Sequence, residues 1–225
     1  KDSACTQAWN FSSDTVTAAM TLYAKWTENP VQPTHPFEDV TDPEAYYYDA
    51  VLWATSTDPV ITDGMTETLF YPEFTCTRAQ AVTFLWRANG CPEPETTECV
   101  FTDLEVDSYY YKAVLWAFEN GITDGTDYDK FSPEDTVTRA QIVTLIYRMI
   151  GEPEVDGTND FTDIPEDAYY VDSVQWAVLT GVTDGMDIDK FCPDVDCTRG
   201  MIVTFLYRHF VLNAESELVP GDNIQ

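Results

Sequence analysis

FSPEDTVTRAQIVTLIYR, residues 131–148, reads as a turn running into a buried helix. Phe131-x-Pro133 breaks the chain, Thr138 stands where an N-cap belongs, and Gln141 three residues later completes the pattern of a capping box. From Ile142 onward the segment is apolar almost all round, the mark of a helix buried on most of its surface. The same pattern of landmarks occurs three times. Phe70, Phe131 and Phe191 each stand eight residues before an arginine (Arg78, Arg139, Arg199) and seven after the Asp of a Thr-Asp-Gly turn (Asp63, Asp124, Asp184). A second arginine follows each first one by nine residues, at Arg87, Arg148 and Arg208, and these six are all the arginines of the chain. Recurrence at this spacing signals an array whose units bury their faces against each other.

Each copy reads as helix, loop, helix. The first helix is expected to open near acidic residues (Asp42-Pro43-Glu44, Asp107-Ser108, Glu166-Asp167). It carries a Tyr pair, then Trp53, Trp116 or Trp176 seven residues after the first Tyr, which places that Tyr and the Trp on one face. Gly121 and Gly181 suit left-handed C-caps, while copy one has Asp58-Pro59 at its exit. The pattern predicts a mainly α fold: three helix-loop-helix repeats in a pseudo-threefold arrangement around a central three-helix bundle, with a short N-terminal β segment. The expected divisions are 1–29 (β segment), 30–36 (proline linker), 37–93, 94–154 and 155–212 (the three copies) and 213–225 (polar, frayed tail).

Among 225 residues, 40 acids face 11 bases, a net charge of −29, which argues against nucleic-acid and anionic-membrane partners. Thirteen Tyr, twelve Phe and six Trp supply ample core, so the acidity reads as a solvated surface and not as disorder. No run approaches the roughly 18 apolar residues of a membrane span. Beginning mid-motif at Lys1, the chain reads as a fragment of a longer protein. Of six cysteines, Cys91 and Cys99 flank one loop and are the first disulfide candidate, with Cys192 and Cys197 the second. Cys76 and Cys197 also share the repeat position of Val137, which favours a buried apolar role. The Cys and His spacings do not resemble a zinc site, and no cofactor is expected.

Arg78, Arg139 and Arg199 are the anomaly, because the helix dipole disfavours cations in a first turn. Either each pairs with an acid of its own copy (Asp39, Asp103, Asp163), or each sits beside free helix N–H groups as an anion site able to grip a carboxylate. Nine residues make 900° of helix, so the second arginine faces the other way and reads as structural. The Asp-rich loops after Asp124 and Asp184 lack the ordered acids and terminal Glu of a calcium hand. Trp53, Trp116 and Trp176 read mainly as core, with stacking on a sugar ring as the functional alternative. No nucleophile–base constellation repeats, so the chain is not expected to be an enzyme.

Phe-x-Asp, the aromatic helix, Ile/Val-Thr-Asp-Gly, Phe-x-Pro and Thr-Arg-Ala-Gln together resemble the S-layer homology domain, in triplicate over residues 37 to about 212. The resemblance implies a three-lobed module that anchors bacterial surface proteins non-covalently to the cell wall. Its ligand would be a secondary cell-wall polysaccharide, with a pyruvylated amino sugar, bound in grooves between neighbouring copies. Carried over by position, the ligand-binding residues are Arg78, Arg139 and Arg199, with Thr77, Thr138, Thr198, Asp63, Gly64, Asp124, Gly125, Asp184 and Gly185. The family's Glu is Gln80, Gln141 and Met201 here, and Gly200-Met201 marks copy three as the weakest binder. Copy two is the least interrupted, so Arg139 is expected to matter most, and all six arginines are expected to affect stability only modestly. Residues 16–26, VTAAMTLYAKW, resemble the end of an internalin B-repeat-type β-grasp cell-wall repeat. Both resemblances imply a secreted protein of the bacterial cell surface. The alternatives are an interaction module that binds a host or microbial protein, and an accessory domain of an enzyme.

Overall fold

The computed structural model describes residues 35–157 and 160–213, and a compact unit begins at His35. The expected β segment, most of the proline linker and the tail beyond Asn213 lie outside the described residues.

The described chain is mainly helical, its only strand pairing being isolated bridges. Outer helices α1 (Tyr48–Ser56), α3 (Tyr111–Glu119) and α5 (Val171–Leu179) alternate with inner helices α2 (Arg78–Ala88), α4 (Arg139–Met149) and α6 (Arg199–Tyr207). A π-helical turn, Arg208–Leu212, continues α6. The expected capping boxes are present on α2 and α4: Thr77 and Thr138 accept from the backbone of Gln80 and Gln141, whose side chains accept from the caps in return. Thr198 caps α6 alone, since Met201 has no group to return. Gly121, at φ 69°, ends α3 in a Schellman motif, with Ile122 N–H on Ala117 and Gly121 N–H on Phe118.

The outer helices start later than expected. The acidic stretch before each forms turns, and Tyr47, Tyr110 and Tyr170 precede the first helical residue without any side-chain cap. Position within a copy also misleads about packing. Each outer helix packs on the inner helix of the preceding copy, α3 on α2 and α5 on α4, while α1 packs on α6. The inner helices touch one another pairwise.

The extended segments leading into the inner helices close a ring of backbone hydrogen bonds. Cys76 N–H donates to Cys197 (2.9 Å), Cys197 to Val137 (2.8 Å) and Val137 to Cys76 (3.1 Å). These three side chains are fully buried, as the apolar reading of Cys76 and Cys197 requires. The expected disulfides are absent, because all five described cysteines are free thiols. The loop between Cys91 and Cys99 is held by other means: Trp86 donates to Pro92, Tyr111 to Thr97, and Glu119 accepts from the N–H of Glu95 and Thr96. Cys192 lies in a Phe-x-Pro turn with its N–H on Asp163, while Cys197 lies in the buried ring. Burial pushes the Cys76 and Cys197 thiols up to about 12. Since the thiolate is the reactive species, iodoacetamide at pH 8 is expected to label Cys192 and Cys91 well before Cys76 and Cys197. Mass spectrometry of timed digests checks that order.

Candidate functional site

Each copy uses an Asp to fold the Phe-x-Pro turn. Asp39, Asp103 and Asp163 each accept two successive backbone N–H groups, from Phe70 and Tyr71, Phe131 and Ser132, and Phe191 and Cys192, at 2.7–3.0 Å. The second residue of each pair takes a left-handed φ of 57–59°, a strained position for a non-glycine residue that the carboxylate clamp offsets. The clamp sets the direction of the Phe carbonyl, and that carbonyl receives the arginine.

The arginines reach across to another copy. Arg78 Nε donates to Phe131 O (2.8 Å), Arg139 Nε to Phe191 O (3.0 Å) and Arg199 Nε to Phe70 O (3.0 Å). Each guanidinium lies over the ring of the same Phe, at 4.5–4.9 Å from its centroid. Their exposures are 5%, 2% and 4%. Burial lowers the guanidinium pKa in all three, yet arginine stays charged across the accessible pH range. Both sequence expectations for these residues are therefore corrected. The acids of their own copies are occupied by backbone. The helix N–H groups are not free either: those of Arg78 and Ala79 donate to Asp135 and Pro133, and α4 and α6 repeat the arrangement. Any anion site rests on the guanidinium itself.

What remains of each guanidinium differs. Among the described residues Arg78 has no protein acceptor at either terminal nitrogen, and neither nitrogen is sealed from solvent. Arg139 gives Nη2 to Thr183 (3.3 Å). Arg199 gives Nη2 to both Thr62 (3.2 Å) and the Asp63 carbonyl (2.7 Å). The aromatic cover follows the same order: Phe205 and Phe84 lie on a second ring contact of Arg139 and Arg199, both at 5.5 Å, whereas α4 carries Leu145 at that position. The Asp63 carbonyl turns inward because copy one's loop follows another path. Gly125 and Gly185 are left-handed (φ 86° and 87°) with N–H on Thr123 and Thr183, while Gly64 lacks a left-handed φ.

Among the described residues, two grooves of equivalent construction occur, of about 320 and 340 Å³. The first has Arg78 of copy one as its floor, Asp124, Gly125 and Arg148 of copy two as walls, and Tyr169 of copy three at its rim. The second combines Arg139, then Asp184, Gly185 and Arg208, then Tyr46. Asp124 and Asp184 point at the second arginines, pairing with Arg148 (2.9 Å) and Arg208 (3.4 Å). Arg148, Arg208, Tyr46 and Tyr169 were missed as site residues. The nine-residue spacing held the signal, since arginines on opposite faces of one helix serve two different grooves.

The other expected site residues fall as follows. Thr77, Thr138 and Thr198 are N-caps whose hydroxyls are engaged by the backbone. Trp116 and Trp176 are buried, and Trp53 is half-buried beside Tyr207 and Phe210, so none lines either groove. The expected common face with the first Tyr of each pair is not formed, because Tyr46, Tyr109 and Tyr169 precede the helices and are exposed while Trp116 and Trp176 turn into the core. Gly200 has a packing reason: a Cβ there would stand 3.0 Å from Pro72 O and 3.2 Å from the Tyr47 ring. No cluster of three or more metal-ligating side chains occurs among the described residues, and no described helix is long and apolar enough to cross a membrane.

The Asp clamps give the fold a pH signature. Burial pushes the Asp103 and Asp163 carboxyls up, but their backbone N–H donors and nearby Lys130 and Lys190 outweigh it and hold both below the usual range. A depressed native pKa stabilises the fold fully above the unfolded value of about 3.9, and that contribution fades as pH falls through the native value. Stability is thus expected to be level from pH 7 to 5 and to decline below about 4, with Asp103→Asn flattening the decline in a circular-dichroism titration.

Residues 100–143, from the start of copy two into α4, match the family model of the S-layer homology domain. The chain is 28% identical over 114 residues to a surface-layer 125 kDa protein of Lysinibacillus sphaericus, covering 51% of this chain and 10% of that protein. It is 29% identical over 113 residues to a cell surface protein of Thermoanaerobacter kivui, covering 48% and 15%. An amylopullulanase of Thermoanaerobacterium thermosulfurigenes matches at 26% over 202 residues, covering 87% of this chain and 10% of that enzyme. This chain therefore spans only 10–15% of the length of these relatives.

Proposed function

We propose that this chain is a non-catalytic wall-anchoring module at the bacterial cell surface, binding an anionic, pyruvylated secondary cell-wall polysaccharide between its repeats. The three copies, 37–93, 94–154 and 155–212, then form three S-layer homology repeats about a pseudo-threefold axis. The cyclic Arg-to-Phe contacts and the ring through Cys76, Val137 and Cys197 support that arrangement.

One observation carries the functional reading. Arg78 is 95% buried, yet it lines a groove, and among the described residues neither of its terminal nitrogens has a protein acceptor. A carboxylate accepting both would form the bidentate pair for which guanidinium geometry is suited. On an acidic protein such a cation selects its anion at contact range and not by long-range attraction. The match to an S-layer homology domain and the surface-protein relatives point to the wall as the source of that carboxylate.

The test is calorimetric titration of the module with purified wall polysaccharide, before and after mild acid removal of the ketal. Heat that disappears with the ketal, and with Arg78→Ala in a folded protein, is the expected result. Equal binding of depyruvylated polymer would refute the carboxylate site. Binding to a protein partner that survives removal of all three buried arginines would favour an interaction module instead.

A further inference from the structure

We infer that Cys76 and Cys197 form a disulfide site, a covalent staple between the first and third copies that closes when the folding chain meets an oxidant. The pairing differs from both expected ones, and the site is independent of the grooves and of any ligand they hold.

Backbone register brings the two residues together. Thr75 and Thr198 form an antiparallel bridge, which sets Cys76 directly opposite Cys197. Cys76 N–H donates to Cys197 O at 2.9 Å on one side of that bridge, and Arg199 N–H to Phe74 O at 2.8 Å on the other. Opposed residues at a hydrogen-bonded position of an antiparallel pair have Cα atoms about 5.5 Å apart. Disulfides most often join Cα atoms about 5.5–6 Å apart. Directly opposed side chains share one face of the pair, with Cβ atoms about 4.5–5.5 Å apart. A closure of about an ångström brings them within the disulfide range of about 3.5–4.5 Å.

The choice of residues singles out one seam. The backbone ring has three positions, all fully buried, and the third is Val137. A valine fills that position, so packing alone requires no thiol at the other two. Copies one and two are continuous through the chain, as are copies two and three. Copies three and one are held by noncovalent contacts: α6 on α1, the Thr75–Thr198 bridge and the Arg199 bond to Phe70 O. Both cysteines lie at that seam. A bond between them closes a loop of about 120 residues, and a crosslink restricts the unfolded chain more the longer its loop.

The chemistry is thiol–disulfide exchange with a small-molecule disulfide as oxidant. One cysteine thiolate attacks the oxidant, forming a mixed disulfide and releasing one small thiol. The second thiolate displaces the other small thiol and forms the Cys76–Cys197 bond. The two electrons and two protons lost by the cysteines leave on the released thiols. Burial pushes both cysteine thiols up to about 12 and closes the folded ring to exchange. The bond is therefore made as the ring assembles and is shielded from reductant afterwards.

The full chain would be refolded from denaturant with a mixture of oxidised and reduced glutathione, and in parallel with reductant alone. Remaining thiols would be alkylated under denaturing conditions, and unreduced digests read by mass spectrometry. A peptide pair joining Cys76 to Cys197 is expected in the oxidised sample, with a melting temperature about 10 °C above the reduced one. Cys197→Val, which installs the residue found at position 137, should lose that rise. Alkylated Cys76 and Cys197 in the folded, oxidised wild type, or their pairing with other cysteines, would overturn the site. A Cys76–Cys197 bond that leaves the melting temperature unchanged or lower would overturn its action as a staple.

Discussion

Arg199→Ala is expected to lower the melting temperature by about 6–12 °C while leaving wall binding nearly intact, and Arg78→Ala to lower it less, by about 2–8 °C, while removing most of the binding. Arg199 donates to Phe70 O, Thr62 Oγ1 and Asp63 O and lies between the rings of Phe70 and Phe84. Hydrogen bonds to a charged donor contribute about 1.5–3 kcal/mol each. After crediting relief of the buried charge, a net loss on the order of 3 kcal/mol remains, and each kcal/mol moves Tm by about 2–4 °C at this chain length. Arg78 has one such bond and one ring, so its removal should cost about 1–2 kcal/mol. Differential scanning calorimetry beside a binding assay separates the two roles. An Arg199→Ala protein that melts like the wild type would mean that its hydrogen bonds are matched by water in its absence.

Phe131→Ala should be among the most damaging single changes, as Phe70→Ala and Phe191→Ala should be. Its ring is fully buried, packs tilted against Phe101 and lies beneath the Arg78 guanidinium. Truncation of a buried Phe costs about 3–5 kcal/mol, a Tm loss on the order of 10 °C. Phe131→Leu keeps most of the volume at a cost of about 1.5 kcal/mol or less but removes the aromatic face. Chemical denaturation should therefore find Phe131→Leu close to wild type, with binding at the Arg78 groove reduced several-fold. Equal binding by the Leu variant would show that the carbonyl alone positions Arg78.

Much of the fold was legible because it is locally encoded. The Thr-x-x-Gln caps, the Gly121 and Gly181 termini and the apolar inner helices are each written within a few residues, and the structure has all of them. The site was less legible because no single copy contains it. Its floor, walls and rim come from three different copies, and the partner of Arg78 is a backbone carbonyl 53 residues away, which has no side-chain signature. Asp39, Asp103 and Asp163 were visible as recurring acids, yet their partners are N–H groups of a turn, to which side-chain chemistry gives no clue. The expectation that the arginines matter only modestly for stability is untested, and the hydrogen bonds of Arg199 lead us to predict a larger effect there. On the proposed reading Arg78 ranks ahead of Arg139, because among the described residues its guanidinium has fewer protein acceptors.

The central claim is that buried arginines with unpaired nitrogens hold the wall carboxylate. Co-sedimentation with cell-wall sacculi, native and depyruvylated, tests it using the wild type and Arg78→Ala, Arg139→Ala and Arg199→Ala. The account predicts pelleting that requires the ketal, falls most with Arg78→Ala, falls less with Arg139→Ala and persists with a folded Arg199→Ala. Loss of pelleting in a folded Arg199→Ala alone, or equal pelleting on depyruvylated walls, would contradict it.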